Sequence, residues 1–192
     1  MKKIILTLFV ASSLLLYSIP SFAFSLSVGI PMSQTITGKQ AGKSYGNAPD
    51  KTSGYFLGVS FLSIGLGIDS YTTKFKSGSC NGCWYTSSEG GLKTNMTNLF
   101  YQLPVPVVNL IIGLGMGTTE YDCKYSFGDC SKFYEKGSAT QWYTSIGMPI
   151  IPFFDIHLSY RSITAKNIKN KDDGRKHDNS GTVTGVGIAF NF

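Results

Sequence analysis

GTVTGVGIAFNF, the run from Gly181 to Phe192, decides the fold. Val186, Ile188, Phe190 and Phe192 fall on one face, while Gly185, Gly187, Ala189 and Asn191 fall on the other. A period of two is that of a β-strand. One face is greasy and tipped with aromatic rings; the opposite face is small and uncharged, so the two sides of this strand meet very different surroundings.

The same alternation recurs upstream. Phe24, Leu26, Val28, Ile30 and Met32 oppose Ser25, Ser27, Gly29, Pro31 and Ser33 in a first strand running to Thr37. After a polar, Gly-rich loop over Gly38 to Ser53, Tyr55, Leu57, Val59 and Phe61 oppose Phe56, Gly58 and Ser60. A sharp turn at Leu62-Ser63 leads to Ile64, Leu66 and Ile68 opposite Gly65, Gly67 and Asp69, in a strand that reaches Phe75. The fourth strand runs from Leu92 to Leu103 and ends in Pro104-Val105-Pro106, since proline cannot continue a ladder. The fifth sets Leu110, Ile112, Leu114 and Met116 against Ile111, Gly113, Gly115 and Gly117, then enters a loop from Asp122 to Gly137. The sixth carries Trp142, Thr144, Ile146, Met148 and Ile150 against Tyr143, Ser145 and Gly147, with Pro149 and Pro152 bracketing a tight turn. The seventh sets Phe154, Ile156, Leu158 and Tyr160 against Asp155, His157, Ser159 and Arg161, and a charged loop over Asn167 to Ser180 leads into the closing strand.

This makes eight strands whose connections alternate long and short. Ahead of them, Lys2 and Lys3 precede the apolar run Ile4 to Leu16, and Ser21-Phe22-Ala23 supplies small residues for cleavage, which together read as a secretory signal peptide over residues 1–23. Removing it leaves one domain, residues 24–192. Fifteen basic and eleven acidic residues remain, a net charge of about +4; export makes nucleic acid an unsuitable partner. The run from Leu103 to Met116 is interrupted by Pro104, Pro106, Gly113 and Gly115 and cannot be a membrane-spanning helix.

A soluble barrel or sandwich shows the same period, and charge separates it from a membrane barrel. A soluble sheet needs a charged outer face, yet Asp69 is the sole charge from Gly54 to Thr73, and Phe100 to Thr119 carries none. The expected fold is therefore all-β: an eight-stranded antiparallel up-and-down transmembrane β-barrel, with three short periplasmic turns and four long extracellular loops. Gly, Ser and Thr on the polar faces suit the narrow interior of so small a barrel.

The closing strand resembles that of bacterial outer-membrane β-barrels, and the whole exported chain resembles the OmpA, OmpX and opacity-protein class. That resemblance implies that Val186, Ile188, Phe190 and Phe192 form the signal read by the barrel-assembly machinery. It implies a non-enzymatic surface protein in the outer membrane with no cofactor, whose outer loops contact host molecules, other cells or lipopolysaccharide. A narrow channel for small or hydrophobic solutes is the alternative, and a lipid A-modifying enzyme a weaker one.

Among residues able to carry chemistry, Cys80, Cys83, Cys123 and Cys130 are an even set in an exported chain and read as disulfides. Three pairings are open: Cys80 with Cys83 and Cys123 with Cys130, or either cross-loop arrangement. Redox and zinc readings fit less well, because Asn81-Gly82 marks a turn rather than a helix start and the Cys123–Cys130 spacing is not that of a zinc knuckle. The lysines crowd into the long connections, where they can face phosphate groups of lipopolysaccharide or simply solvate the surface. Trp84, Tyr85, Tyr125, Phe127, Phe133 and Tyr134 are candidate loop contacts.

Alternation directs Asp69, Asp155, His157 and Arg161 into the lumen, with Asp69 and Arg161 the expected ion pair near mid-depth. A gated pore would use the same residues. His157-x-Ser159 resembles the histidine and serine of lipid A deacylases, but no Glu follows Glu135, and His157 would face inward, away from acyl chains. Gly113-x-Gly-x-Gly117 imitates a phosphate-binding loop, but it lies inside a strand with no helix after it and reads as lumen packing.

Overall fold

The computed structural model of the chain describes residues 24–38, 49–75, 90–105, 108–125, 128–151 and 153–192. The signal peptide read at residues 1–23 lies outside them. Eight long strands form the wall: β1 (Phe24–Ile36), β2 (Pro49–Phe61), β3 (Ile64–Phe75), β4 (Gly90–Val105), β5 (Val108–Tyr125), β6 (Gly137–Ile151), β7 (Phe154–Thr164) and β8 (Gly181–Asn191). Each pairs antiparallel with its neighbours in sequence, and β1 closes on β8, giving an up-and-down barrel. At the seam the Phe24 amide donates to the Phe192 carbonyl at 3.2 Å and the Phe192 amide donates to the Phe24 carbonyl at 2.8 Å.

The burial pattern is inverted relative to a water-soluble protein. Leu26, Leu66, Leu114, Met116, Leu158 and Phe190 are exposed on the outer wall, whereas Asp69, Asn98, Gln141, Asp155, His157, Arg161 and Asn191 are buried in the lumen. Water cannot be the solvent of that outer face; a hydrocarbon layer can. Phe24, Phe61, Phe153, Phe190 and Phe192 are exposed together around the end that carries the short turns. Phe24 stacks near Phe192 and Phe154 near Phe190, with centroids 6.3 and 5.4 Å apart. This is the aromatic girdle expected where a barrel leaves the lipid.

Glycines let the narrow lumen accept large side chains. Gly65 pairs with Phe100 and Phe100 with Gly113, which also pairs with Tyr143. A Cβ on Gly65 would lie 2.1 Å from the Phe100 ring, and one on Gly113 would lie 2.2 Å from Tyr143. The rings therefore lie flat over neighbouring backbone, a close approach that only a missing side chain permits. The sequence reading emphasised small lumen residues; Phe100, Tyr143, Tyr71 and Met96 fill the space those small residues leave.

Several boundaries differ from the sequence expectation. β2 begins at Pro49 rather than after Ser53, because its ladder with β3 continues through Lys51, Thr52 and Ser53. Pro104 and Val105 are paired with Asn109 and Val108 instead of forming the turn, and Pro149 is paired with Asp155. A proline lacks only its own amide, so near a ladder's end the cost is one bond, not the whole pairing. In β1 a bulge between Pro31 and Ser33 breaks the alternation, so Ser33 is exposed and Gln34 enters the lumen, where it accepts from Thr73 Oγ1. Leu62 and Ser63 both take positive φ, 47° and 72°, making a tight hairpin turn without glycine.

The lipid-facing assignment has a direct consequence. Leu158 sits mid-strand on the outer wall at 65 % exposure. Leu158→Arg should destabilise the folded barrel by about 2–4 kcal/mol in equilibrium unfolding from lipid vesicles. A loss under about 0.5 kcal/mol, the size of an ordinary surface change, would mean that this face is not in hydrocarbon.

Candidate functional site

The lumen is organised around Arg161 on β7. Its Nε lies 3.0 Å from Asp69 Oδ2 on β3, and its Nη2 donates to Asp69 Oδ1 at 3.5 Å. Gln141 Nε2 on β6 donates to the same carboxylate at 2.6 Å and to Asn98 Oδ1 at 2.5 Å, linking β4 into the network. The guanidinium lies 3.5 Å from the centroid of Phe56 and 4.8 Å from that of Tyr143, so its faces meet rings while its edge meets oxygen. Arg161 and Asp69 are 5 % and 2 % exposed. A charge so deeply buried needs a partner, and this one has a carboxylate and two aromatic faces.

A second polar layer lies nearer the short turns. Asn109 Nδ2 donates to Asp155 Oδ2, and Asn191 Nδ2 donates to the same oxygen at 2.7 Å. β5, β7 and β8 are thereby joined across the interior. Ser145 Oγ lies 3.3 Å from His157 Nδ1, whose other ring nitrogen is 3.6 Å from Asp155 Oδ2. The order Ser-His-Asp is that of a proton relay, but 3.6 Å is too long for the second hydrogen bond. The Asp155 oxygen nearest the histidine is also the one held by both asparagines. Ser159, the residue paired with His157 in the lipid A deacylase comparison, instead donates to the Gly185 carbonyl at 3.2 Å. At mid-depth, between Phe56, Phe100, Tyr143 and Arg161, lies a space of about 50 Å³, room for a few waters.

At the opposite end the third and fourth outer loops are joined into one unit. The Glu135 amide donates to the Lys169 carbonyl and the Lys171 amide to the Phe133 carbonyl, both at 2.8 Å. A short ladder of Ile168–Lys169 with Lys176–His177 runs within the charged fourth loop. Tyr121 at the top of β5, Tyr134 in the third loop and His177 in the fourth meet edge to face, with centroids 4.9 to 5.9 Å apart. Asn179 Nδ2 donates to the Tyr121 hydroxyl at 3.1 Å, and that hydroxyl is 3.3 Å from His177 Nδ1.

Of the candidate contact residues, Phe133 is exposed and Tyr134 is built into the aromatic cluster. Trp84, Tyr85 and Phe127, like Cys80 and Cys83, lie outside the described residues, as do the side chains of Tyr125 and Cys123. Cys130 is disulfide-bonded and buried in a short 3-10 turn over Cys130–Lys132. Strand β8 places Val186, Ile188 and Phe190 on the lipid side of the closing seam, and Phe192, exposed, directly follows it. Sequence reading missed Asn98, Asn109, Gln141 and Asn191, although alternation alone directs each inward. It also missed Tyr121, His177 and Asn179, whose meeting across two loops has no local signal.

The fold is that of the small eight-stranded outer-membrane β-barrels. The sequence itself matches no family model and no curated protein. Among solved structures, the chain is similar to the Neisserial surface protein A, with a TM-score of 0.62 and 12% identity over 88% of this chain and 97% of that one. It is similar to Ail, the attachment invasion locus protein of Yersinia pestis, with a TM-score of 0.53 and 20% identity over 88% and 97% of the two chains. For outer membrane protein W of E. coli the TM-score is 0.51, with 13% identity over 90% and 98%. At such identities the likeness is one of fold.

The lumen network makes a stability prediction. Asp69→Asn leaves the Arg161 charge buried without its counter-ion and should cost roughly 3–5 kcal/mol. The double variant Asp69→Leu with Arg161→Met should recover most of that loss. Urea unfolding in detergent micelles of the double variant and of Asp69→Leu and Arg161→Met alone measures this; a double-variant loss equal to the sum of the two single losses would mean the pair does not act as a unit.

Proposed function

We propose that this protein is a non-enzymatic outer-membrane barrel of the bacterial surface, exported with residues 1–23 as a cleaved signal, and that it acts in adhesion or envelope structure through its outer loops. The observation that carries this reading is the contrast between the two ends of the wall. The lumen is filled at mid-depth by Arg161 between Phe56 and Tyr143 and again below by the Asn109, Asp155 and Asn191 layer. An interior so filled argues against passage of solutes through the barrel. Chemistry of recognition is left to the outer end, where the third and fourth loops form a hydrogen-bonded platform bearing Lys136, Lys169, Lys171, Arg175 and Lys176. Ail, one of the similar folds, was solved in complex with the heparin analogue sucrose octasulfate. That complex supports surface ligands as a use for this architecture. Lipopolysaccharide in the same leaflet is a second partner for the cations, and the barrel-assembly machinery a transient one through Val186, Ile188, Phe190 and Phe192.

Cells displaying the intact protein should adhere to target surfaces. Cells displaying a variant with residues 166–179 replaced by a short Gly-Ser turn should not, while retaining a folded barrel. Purified protein in planar bilayers should leave conductance at background. Unchanged adherence after loop replacement, or steady unitary conductance, would overturn the proposal.

A further inference from the structure

Between the third and fourth outer loops lies a cleft of about 420 Å³, a volume in the range that takes a small ligand. We propose that this cleft, walled by Tyr121 and Tyr134 and edged by Glu120, Glu135, Lys136 and Lys171, binds a neutral saccharide unit. This rests on the surface-contact reading above and names the chemistry of the contact.

Three features support it. First, the walls are built rather than incidental. Tyr121 and Tyr134 stand at 67° with centroids 4.9 Å apart, and Tyr121 is further held by Asn179 and His177. A fixed aromatic corner suits the C–H face of a pyranose ring and loses little side-chain freedom on binding. Second, the rim combines acceptors and donors in equal number. Glu120 and Glu135 accept, Lys136 and Lys171 donate, and a sugar hydroxyl can do both. Third, the charges cancel locally. Lys136 Nζ already lies 3.2 Å from Glu120 Oε2, and Lys171 Nζ donates to the Ser131 carbonyl at 2.7 Å. With two carboxylates offsetting two ammonium groups, the cleft offers a sulfated or phosphorylated ligand no net charge attraction, although the surrounding loops are basic. The cations outside the cleft, among them Lys169, Arg175 and Lys176, therefore serve a different role from those inside it. No group of three metal-ligating side chains occurs among the described residues.

The test uses the full chain folded in nanodiscs, titrated with neutral hexose and N-acetylhexosamine tetrasaccharides and with their O-sulfated forms. At least one neutral tetrasaccharide should bind, and its sulfated form should bind more weakly. Tyr134→Ala and Glu135→Gln should each weaken binding by about tenfold or more. Lys176→Ala, outside the cleft, should leave it unchanged. Glu135→Gln alters an exposed loop side chain, so it remains informative if Tyr134→Ala disturbs the loops. Absence of neutral binding, preference for the sulfated forms, or indifference to both variants would overturn the inference. Competition by polysaccharide from the cell's own lipopolysaccharide would assign the sugar to the same membrane and lack of competition to another surface; either result supports the site. Loop-dependent adherence without saccharide binding would overturn this inference alone. Saccharide binding without loop-dependent adherence would instead overturn the reading on which it rests.

Discussion

The structure depends on one constraint: in hydrocarbon every backbone amide and carbonyl must find its partner within the protein. A sheet with open edges fails that requirement along two whole strands, whereas a closed sheet meets it everywhere. The pairing of β1 with β8, from Ser25 with Asn191 up to Ile36 with Gly181, is therefore the step that makes this chain compatible with a membrane. The strict antiparallel order follows, because neighbours in sequence are the only partners short turns allow. So does the alternation of Leu, Ile and Phe with Gly, Ser and Asn, since each strand faces lipid on one side and the lumen on the other.

Closure with so few strands sets a second problem, a lumen too narrow for a water-filled pore but too wide for glycine alone. The chain meets it with large residues laid over glycines, as Phe100 lies over Gly65, and with polar side chains that hydrogen-bond one another across the lumen. The Arg161, Asp69, Gln141 and Asn98 network and the Asp155, Asn109 and Asn191 layer each draw residues from three or more strands. The Arg161–Asp69 contact ties β7 to β3 across the lumen, something no ladder hydrogen bond does. The Asp155 layer also binds the closing strand β8 from inside, to β7 and β5.

The fold was legible in the sequence because period-two alternation, missing charge and loop asymmetry are local patterns that survive without tertiary information. Inward placement of Asp69, Asp155, His157 and Arg161 came from the same parity. What escaped was non-local or irregular. The bulge at Pro31 to Ser33 shifts parity by one residue and carries Gln34 inward, which no propensity signals. The paired Pro104 and Pro149 look like breakers until their place at a ladder's end is known. The cluster of Tyr121, Tyr134 and His177 joins His177 to two tyrosines more than forty residues before it, and the pairing of β6 with β7 brings their loops together. The candidate binding surface was thus the least legible part, although its residue types were visible.

Rigid wall and joined loops are connected physically, since a closed barrel fixes where β5, β6, β7 and β8 emerge and so fixes the distance between the loops they carry. The most direct measurement is the set of cross-strand nuclear Overhauser contacts in micelles between β1 and β8, at pairs such as Val28 with Ile188 and Ile30 with Val186. Closure predicts contacts along the whole seam, as strong as those between hairpin neighbours. Contacts confined to consecutive strands, with none between β1 and β8, would contradict it.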